Sequence, residues 1–189
     1  MNKIWRAATP ALLFICLFAS PRARATGRAE CVSLNSKILQ RTVPYCILLP
    51  PGYDAEKTRH YPILYLLHGL GDNDQMLIHS GGMNLVEDLW EQHQLGEFLI
   101  VTPSAGASFY INSRDGRHRY EDFFLREFMP EVEKRYRAQS DRKSRGIAGI
   151  SMGGYGALHI AFQHPRLFAA VGALSAALIE QLPTISAQT

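Results

Sequence analysis

Gly149-Ile150-Ser151-Met152-Gly153 sets a serine between two glycines at the spacing of a nucleophile elbow. In that motif a strand runs into the serine, the chain turns sharply, and a helix leaves. A Cβ at either glycine would collide with the strand or helix pressed against the turn. The serine itself is expected in strained φ/ψ, its hydroxyl pushed out above the sheet. The alternative is a tight glycine-rich turn that merely carries a serine. The flanks favour the elbow: 144–148 reads as a short strand, and 153–162 as a helix that opens on small residues.

A serine hydroxyl is a weak nucleophile at neutral pH. It needs a base to take its proton and donors to stabilise the oxyanion. The N–H of Met152 stands at the start of the departing helix and points at developing negative charge. The second donor is expected from the loop His68-Gly69-Leu70-Gly71-Asp72-Asn73, with Leu70 as the candidate. His68-Gly69 is also compatible with a plain strand-ending turn. His68 is expected to shape that loop, not to act in catalysis.

The elements that must position these groups follow from the apolar pattern. Residues 31–39 and 42–49 read as strands that open a sheet in antiparallel fashion, closed by Pro50-Pro51-Gly52. The nearly unbroken apolar run 61–67 suits a strand buried on both faces. Residues 84–93 read as a helix with Leu85, Leu89 and Trp90 on one side, and 98–102 as another buried strand. Residues 104–119 are irregular. Residues 120–137 form an amphipathic helix with Phe124, Leu125, Phe128 and Val132 inward; Pro130 predicts a kink. Residues 145–149 and 169–174 are further strands. Alternating strands and helices imply an α/β fold with a mostly parallel sheet flanked by helices. Ligands bind beyond the C-terminal strand ends in such sheets, where Leu70 and Ser151 both lie.

At 189 residues the chain is expected to hold a signal peptide over 1–25 and one domain over 26–189. Lys3 and Arg6 precede an apolar stretch, Pro21 breaks it, and Ala23-Arg24-Ala25 has the form of a cleavage site. The alternative is an uncleaved N-terminal anchor; the stretch is too short to span a bilayer comfortably. Cys16 follows Ile15, which argues against a lipoprotein site. Four of the chain's 20 Lys and Arg sit in this segment with no acid, so the remainder carries 16 basic against 17 acidic residues. That balance gives no basis for binding nucleic acid. Arg114, Arg117, Arg119 and Arg126 alternate with Asp115, Glu121, Asp122 and Glu127, as on a solvated mixed-charge face. Export to a secreted or periplasmic location makes a disulfide between Cys31 and Cys46 possible, with two buried thiols as the alternative. No metal-ligand spacing and no nucleotide-binding loop occurs, so neither metal nor cofactor is expected.

Three stretches carry a family resemblance: Tyr65-Leu66-Leu67-His68-Gly69-Leu70-Gly71-Asp72, then Tyr120-Glu121-Asp122-Phe123-Phe124 with Glu127 and Pro130, then Ala148 to Ala157. Together they resemble the esterase D-type branch of the α/β-hydrolases. That branch holds S-formylglutathione hydrolases, feruloyl and related secreted carbohydrate esterases, and antigen 85 mycolyltransferases. The resemblance runs from about residue 43 to about residue 178. It implies the α/β-hydrolase fold, Ser151 as nucleophile, and Leu70 and Met152 as backbone oxyanion donors. The implied substrate is a small-molecule or carbohydrate ester, carboxylic or thio-, hydrolysed through an acyl-enzyme. Acyl transfer of the antigen 85 type is the alternative.

The triad order in this fold is Ser, then acid, then His. After Ser151 the chain holds one acid, Glu180, and two histidines, His159 and His164. His159 is eight residues along the departing helix, roughly 12 Å of rise away, and His164 lies at that helix's far end. The expectation is a chain that lacks the triad acid and His together with the last strands and helices. A non-catalytic remnant is therefore the other reading. The loop 108–112, with Phe109 and Tyr110, could line a pocket for a sugar or phenolic ring, or simply pack.

Overall fold

The computed structural model describes residues 26–178. The expected signal peptide over 1–25 and Glu180 lie outside the described residues. Six strands form one sheet in the order β1-β2-β4-β3-β5-β6: β1 (Arg28–Ser36), β2 (Arg41–Leu49), β3 (Ile63–Leu67), β4 (Leu99–Pro103), β5 (Arg145–Ile150) and β6 (Ala170–Leu174). β1 and β2 pair antiparallel, as do β2 and β4. From β4 across β3 and β5 to β6 the pairing is parallel. Each parallel connection is helical. The short α1 (Met76–His79) and α2 (Gly82–Glu91) lie between β3 and β4, and α5 (Met152–Gln163) between β5 and β6. Between β4 and β5 a continuous helical segment comprises α3 (Tyr120–Phe123), a π-helical turn (Phe124–Phe128) and α4 (Met129–Arg135). No helix among the described residues is long and apolar enough to cross a membrane.

The period-2 geometry of strands divides the core in two. Val43, Tyr45 and Ile47 of β2, Ile63, Tyr65 and Leu67 of β3, and Ile147 of β5 face Phe123, Phe124, Phe128 and Val132 of the long helical segment, and Ala157 and Ile160 of α5. The Tyr65 ring meets Phe124 edge-on at 5.4 Å between centroids. On the opposite side Leu48, Ile100, Leu64 and Leu66 pack with Leu77, Met83, Val86 and Trp90.

Three local readings change. Leu85 is 62 % exposed, because the buried stripe of α2 runs through Met83, Val86 and Trp90. The distortion expected at Pro130 takes the form of the π-helical turn just before it. Pro130 offers no N–H to the Arg126 carbonyl and its ring crowds that turn, which a wider winding accommodates. β6 is apolar but not interior: Val171 and Leu174 are 45 % and 57 % exposed, and with Ile150 and Leu178 they form an open apolar flank among the described residues.

Two carboxylates on the long helical segment brace the sheet. Glu127 accepts from the Ser36 hydroxyl at 2.5 Å and from the N–H groups of Lys37 and Ile38, so it holds the β1–β2 turn. That turn sets Cys31 opposite Cys46, and the two are joined by a disulfide. Glu133 binds Arg145, the first residue of β5, through two hydrogen bonds of 2.6 and 2.7 Å, and accepts from the Tyr65 hydroxyl at 2.8 Å. The Glu133 carboxylate raises the pKa of the Arg145 guanidinium above its ordinary value, against the opposing effect of burial. Arg119 and Arg126 both pair with Asp122, as expected of a mixed-charge face.

Glu133→Ala leaves a largely buried guanidinium and a buried phenol without their acceptor. The expected loss is about 2–4 kcal/mol of unfolding free energy, measured by urea titration. A loss under about 0.5 kcal/mol, as for an exposed ion pair, contradicts this role.

Candidate active site

β5 delivers the chain to Ser151, and α5 begins at the next residue. Ser151 sits at φ 54° and ψ −114°, outside the regions that non-glycine residues ordinarily populate. Its neighbours hold it there. The Ser151 N–H donates to the Leu174 carbonyl at 2.9 Å, and the Ser151 carbonyl accepts from Tyr155 and Ala177 at 3.0 Å each. Both elbow glycines are sterically required. A Cβ on Gly149 would stand 2.3 Å from the Gly153 carbonyl carbon, and one on Gly153 would stand 2.0 Å from the Leu67 carbonyl oxygen.

The first N–H groups of α5 lack intrahelical acceptors, and among the described residues the Met152 N–H has no partner, beside Ser151 at the positive end of the helix dipole. The loop after β3 comes to the same place. A Cβ built on Gly69 would lie 3.6 Å from the Ser151 Cβ. Gly69 opens a tight turn closed by an Asp72 N–H to Gly69 carbonyl bond of 3.2 Å, with Gly71 at φ 85°. Leu70 is the second residue of that turn, whose N–H takes no part in the turn's own hydrogen bond; its side chain is 62 % exposed. Ser151, Gly69-Leu70 and the start of α5 are thus brought together. Among the described residues the Ser151 hydroxyl has no hydrogen-bond partner.

His68 is fully buried. Its Nε2 accepts from the Ala105 N–H at 2.9 Å and its Nδ1 bonds the Gly69 carbonyl at 2.8 Å. These partners assign a neutral imidazole with its proton on Nδ1, which fits a loop-shaping role. The two histidines of α5's far half are engaged elsewhere. Glu121 meets His159 Nε2 with one oxygen and His164 Nε2 with the other, each at 3.1 Å.

The loop after β4 packs. Tyr110 is fully buried, donates its hydroxyl to the His68 carbonyl at 3.1 Å, and lies edge-on to Tyr120. Phe109 is 8 % exposed and rests edge-on against Tyr155. Of the two readings of this loop, the structure selects packing for Tyr110. Both aromatics have positive φ, 52° and 61°, which is rare for bulky residues. From the sequence Tyr110 was a candidate only for lining a pocket, and its bond to the His68 carbonyl was not foreseen. Its one trace is Gly156, where a Cβ would meet the Tyr110 ring at 2.7 Å. Among the described residues no group of three or more His, Cys, Asp or Glu could hold a metal ion.

A family model described as Putative esterase matches residues 36–187. The endo-1,4-β-xylanase/feruloyl esterase of Xylanibacter ruminicola is 29% identical over 136 residues, covering 68% of this chain and 19% of that protein. The acetyl esterase of Caldicellulosiruptor saccharolyticus is 29% identical over 154 residues, 78% of this chain and 56% of that protein. A solved ferulic acid esterase superposes with a TM-score of 0.76 at 35% identity, covering 80% of this chain and 60% of that one. This chain therefore spans less than two thirds of the length of each of these relatives. The sheet order, the flanking helices and this superposition give the α/β-hydrolase fold.

Close contacts rank the glycines of the elbow and of the neighbouring turn. Gly153→Ala drives a methyl into two backbone carbonyls and is expected to cost more than about 4 kcal/mol, or to abolish soluble expression. Gly71→Ala meets nothing within 4 Å and bears only its positive φ, so about 1–2 kcal/mol is expected. Chemical denaturation compares the two, and equal losses contradict the ranking.

Proposed function

Because the chain belongs to the Putative esterase family, we propose that it supplies the nucleophile and oxyanion hole of a serine esterase. Ser151 Oγ attacks the carbonyl carbon of a carboxylic or thioester. The bond to the leaving alcohol or thiol breaks, the leaving group takes up the proton that the Ser151 hydroxyl gives up, and the acyl group remains on Ser151. Water then hydrolyses the acyl-enzyme and restores the serine. The oxyanion of each tetrahedral intermediate is stabilised by the N–H groups of Leu70 and Met152, fixed before substrate arrives.

The observation that carries this reading is the backbone of Ser151. A non-glycine residue is held in a disfavoured conformation between two glycines that admit no Cβ, beside a turn with a free N–H. The feruloyl and acetyl esters named for the relatives point to acyl groups on small molecules or carbohydrates. The Cys31–Cys46 disulfide fits a site of action outside the reducing cytosol. No described residue is assigned as the triad acid or its histidine, since His159 and His164 are both committed to Glu121.

The test offers p-nitrophenyl acetate and methyl ferulate to the 189-residue protein and to Ser151→Ala, following alcohol release and intact mass. The expected result is a slow, Ser151-dependent acylation, seen as an adduct that Ser151→Ala removes, with turnover far below that of a complete triad. Equal cleavage by both proteins and no adduct on either overturns the proposal.

A further inference from the structure

Two successive peptide planes lead from β3 to the proposed oxyanion donor, and each is held by a side chain the reaction itself does not use. The His68–Gly69 plane is held through the His68 carbonyl, which accepts from the buried Tyr110 hydroxyl at 3.1 Å. The Gly69–Leu70 plane is held through the Gly69 carbonyl, which takes the His68 Nδ1 proton at 2.8 Å and the Asp72 N–H at 3.2 Å. In a trans peptide the C=O and the following N–H point in opposite directions. Fixing the Gly69 carbonyl toward the imidazole therefore turns the Leu70 N–H away from it. Gly69 abuts Ser151, so that N–H belongs to the peptide next to the nucleophile.

We infer that His68 and Tyr110 are positioning residues, a clamp that aims the Leu70 N–H at the oxyanion. The inference rests on the serine-esterase reading above. The clamp is itself over-determined. The imidazole is kept in the required tautomer from its far side, because Ala105 donates its N–H to Nε2 at 2.9 Å and leaves Nδ1 to carry the proton. Tyr110 is kept in place by a positive φ of 61°, by edge-on contacts with the His68 and Tyr120 rings, and by the space that Gly156 leaves for its own ring. Burial pushes the Tyr110 phenol well above its ordinary range, so it remains a donor. Consecutive bulky residues at positive φ are costly, and such strain gathers where geometry serves a site. Here it places one hydroxyl on one carbonyl.

The two amide replacements of His68 separate aiming from mere filling. Asn carries its N–H donor at the position of Nδ1 and keeps the tether to Gly69. Gln reaches the position of Nε2 and loses that tether. The rate of Ser151 phosphonylation by an alkyl fluorophosphonate is measured for the native 189-residue protein, His68→Asn, His68→Gln and Tyr110→Phe, with Ser151→Ala as the blank and a melting temperature for each. Gln and Phe are expected to slow phosphonylation by about tenfold to a hundredfold, a part of what loss of a whole oxyanion donor costs, with reagent affinity unchanged. Asn is expected to stay within about threefold of native, since its donor still holds the Gly69 carbonyl. Equal slowing in Asn and Gln, or rates that simply follow melting temperature, overturns the clamp. A long-range proton–nitrogen spectrum of histidine-labelled protein judges it without any reaction. The proton of His68 is expected on Nδ1, and a proton on Nε2 at neutral pH overturns the clamp. If the native protein reacts no faster than Ser151→Ala, the esterase reading falls, and the spectrum alone decides the clamp.

Discussion

Among the glycines of the described residues, Gly153 has the least room for a side chain, because it lies against the end of β3. A Cβ there would stand 2.0 Å from the Leu67 carbonyl oxygen and 2.7 Å from that of His68. The first turn of α5 is therefore pressed directly onto the backbone of the neighbouring strand. No side chain separates them. Everything at the site follows from that contact. It brings the start of a helix, the residue before it and the loop beyond β3 within a few ångströms of one another. It also forces the β5–α5 junction to turn so sharply that Ser151 has no ordinary conformation left. The disfavoured φ/ψ of Ser151 follows from packing a helix this close to a strand end.

A junction of this kind holds its geometry only if its supports are stiff. Three hydrogen bonds fix the Ser151 backbone, two of them to residues at or beyond the end of β6. Upstream, Arg145 at the root of β5 is bound by Glu133, and Tyr65 of β3 shares the same carboxylate. The long helical segment thus braces both strands of the junction, β3 with the Leu70 turn and β5 with Ser151. Glu127 of the same segment braces the β1–β2 turn. These roles explain why acids stand at 127 and 133 on a helix whose other face is a run of aromatic side chains. The carboxylates reach part-buried groups, the Ile38 N–H and the Arg145 guanidinium, that have little access to water as a partner.

What could be read from the sequence was what local sterics dictate. The elbow was legible because glycines at 149 and 153 have no other common reason to flank a serine at that spacing. The turn that holds Leu70 was legible from its place just past β3. The strands were found within a few residues, since unbroken apolar runs admit few alternatives in an α/β chain. The misses were tertiary. Leu85 looked inward because the helical stripe was phased from Leu89 and Trp90, whereas contact with Leu48 and Ile100 turns the helix toward Met83 and Val86. The pairing of Cys31 with Cys46 hung on hairpin register, which the turn after Ser36 and its Glu127 contact settle, 91 residues apart in sequence. Tyr110 drew notice only as a possible pocket-lining aromatic, with no local signal of its contact with His68. Its buried position exists only because Gly156, distant in sequence, leaves room for its ring.

The supports of Ser151 differ in how well they are themselves buried. Leu67, Ile147 and Met152 have no exposed surface, so the β3 side of the junction lies deep in the core. The β6 side does not. Leu174, whose carbonyl accepts the Ser151 N–H, is 57 % exposed, and Ile150, immediately before the serine, is 44 % exposed. Local opening is easiest where few apolar contacts are lost. A fluctuation that frees β6 would release two of the three bonds that hold the serine, while the Leu70 turn, tied through His68 and Tyr110 to the interior, would stay in place. The Leu70 turn is therefore the stiffer half of this junction, and the Ser151 backbone on its β6 side is the half more easily released among the described residues.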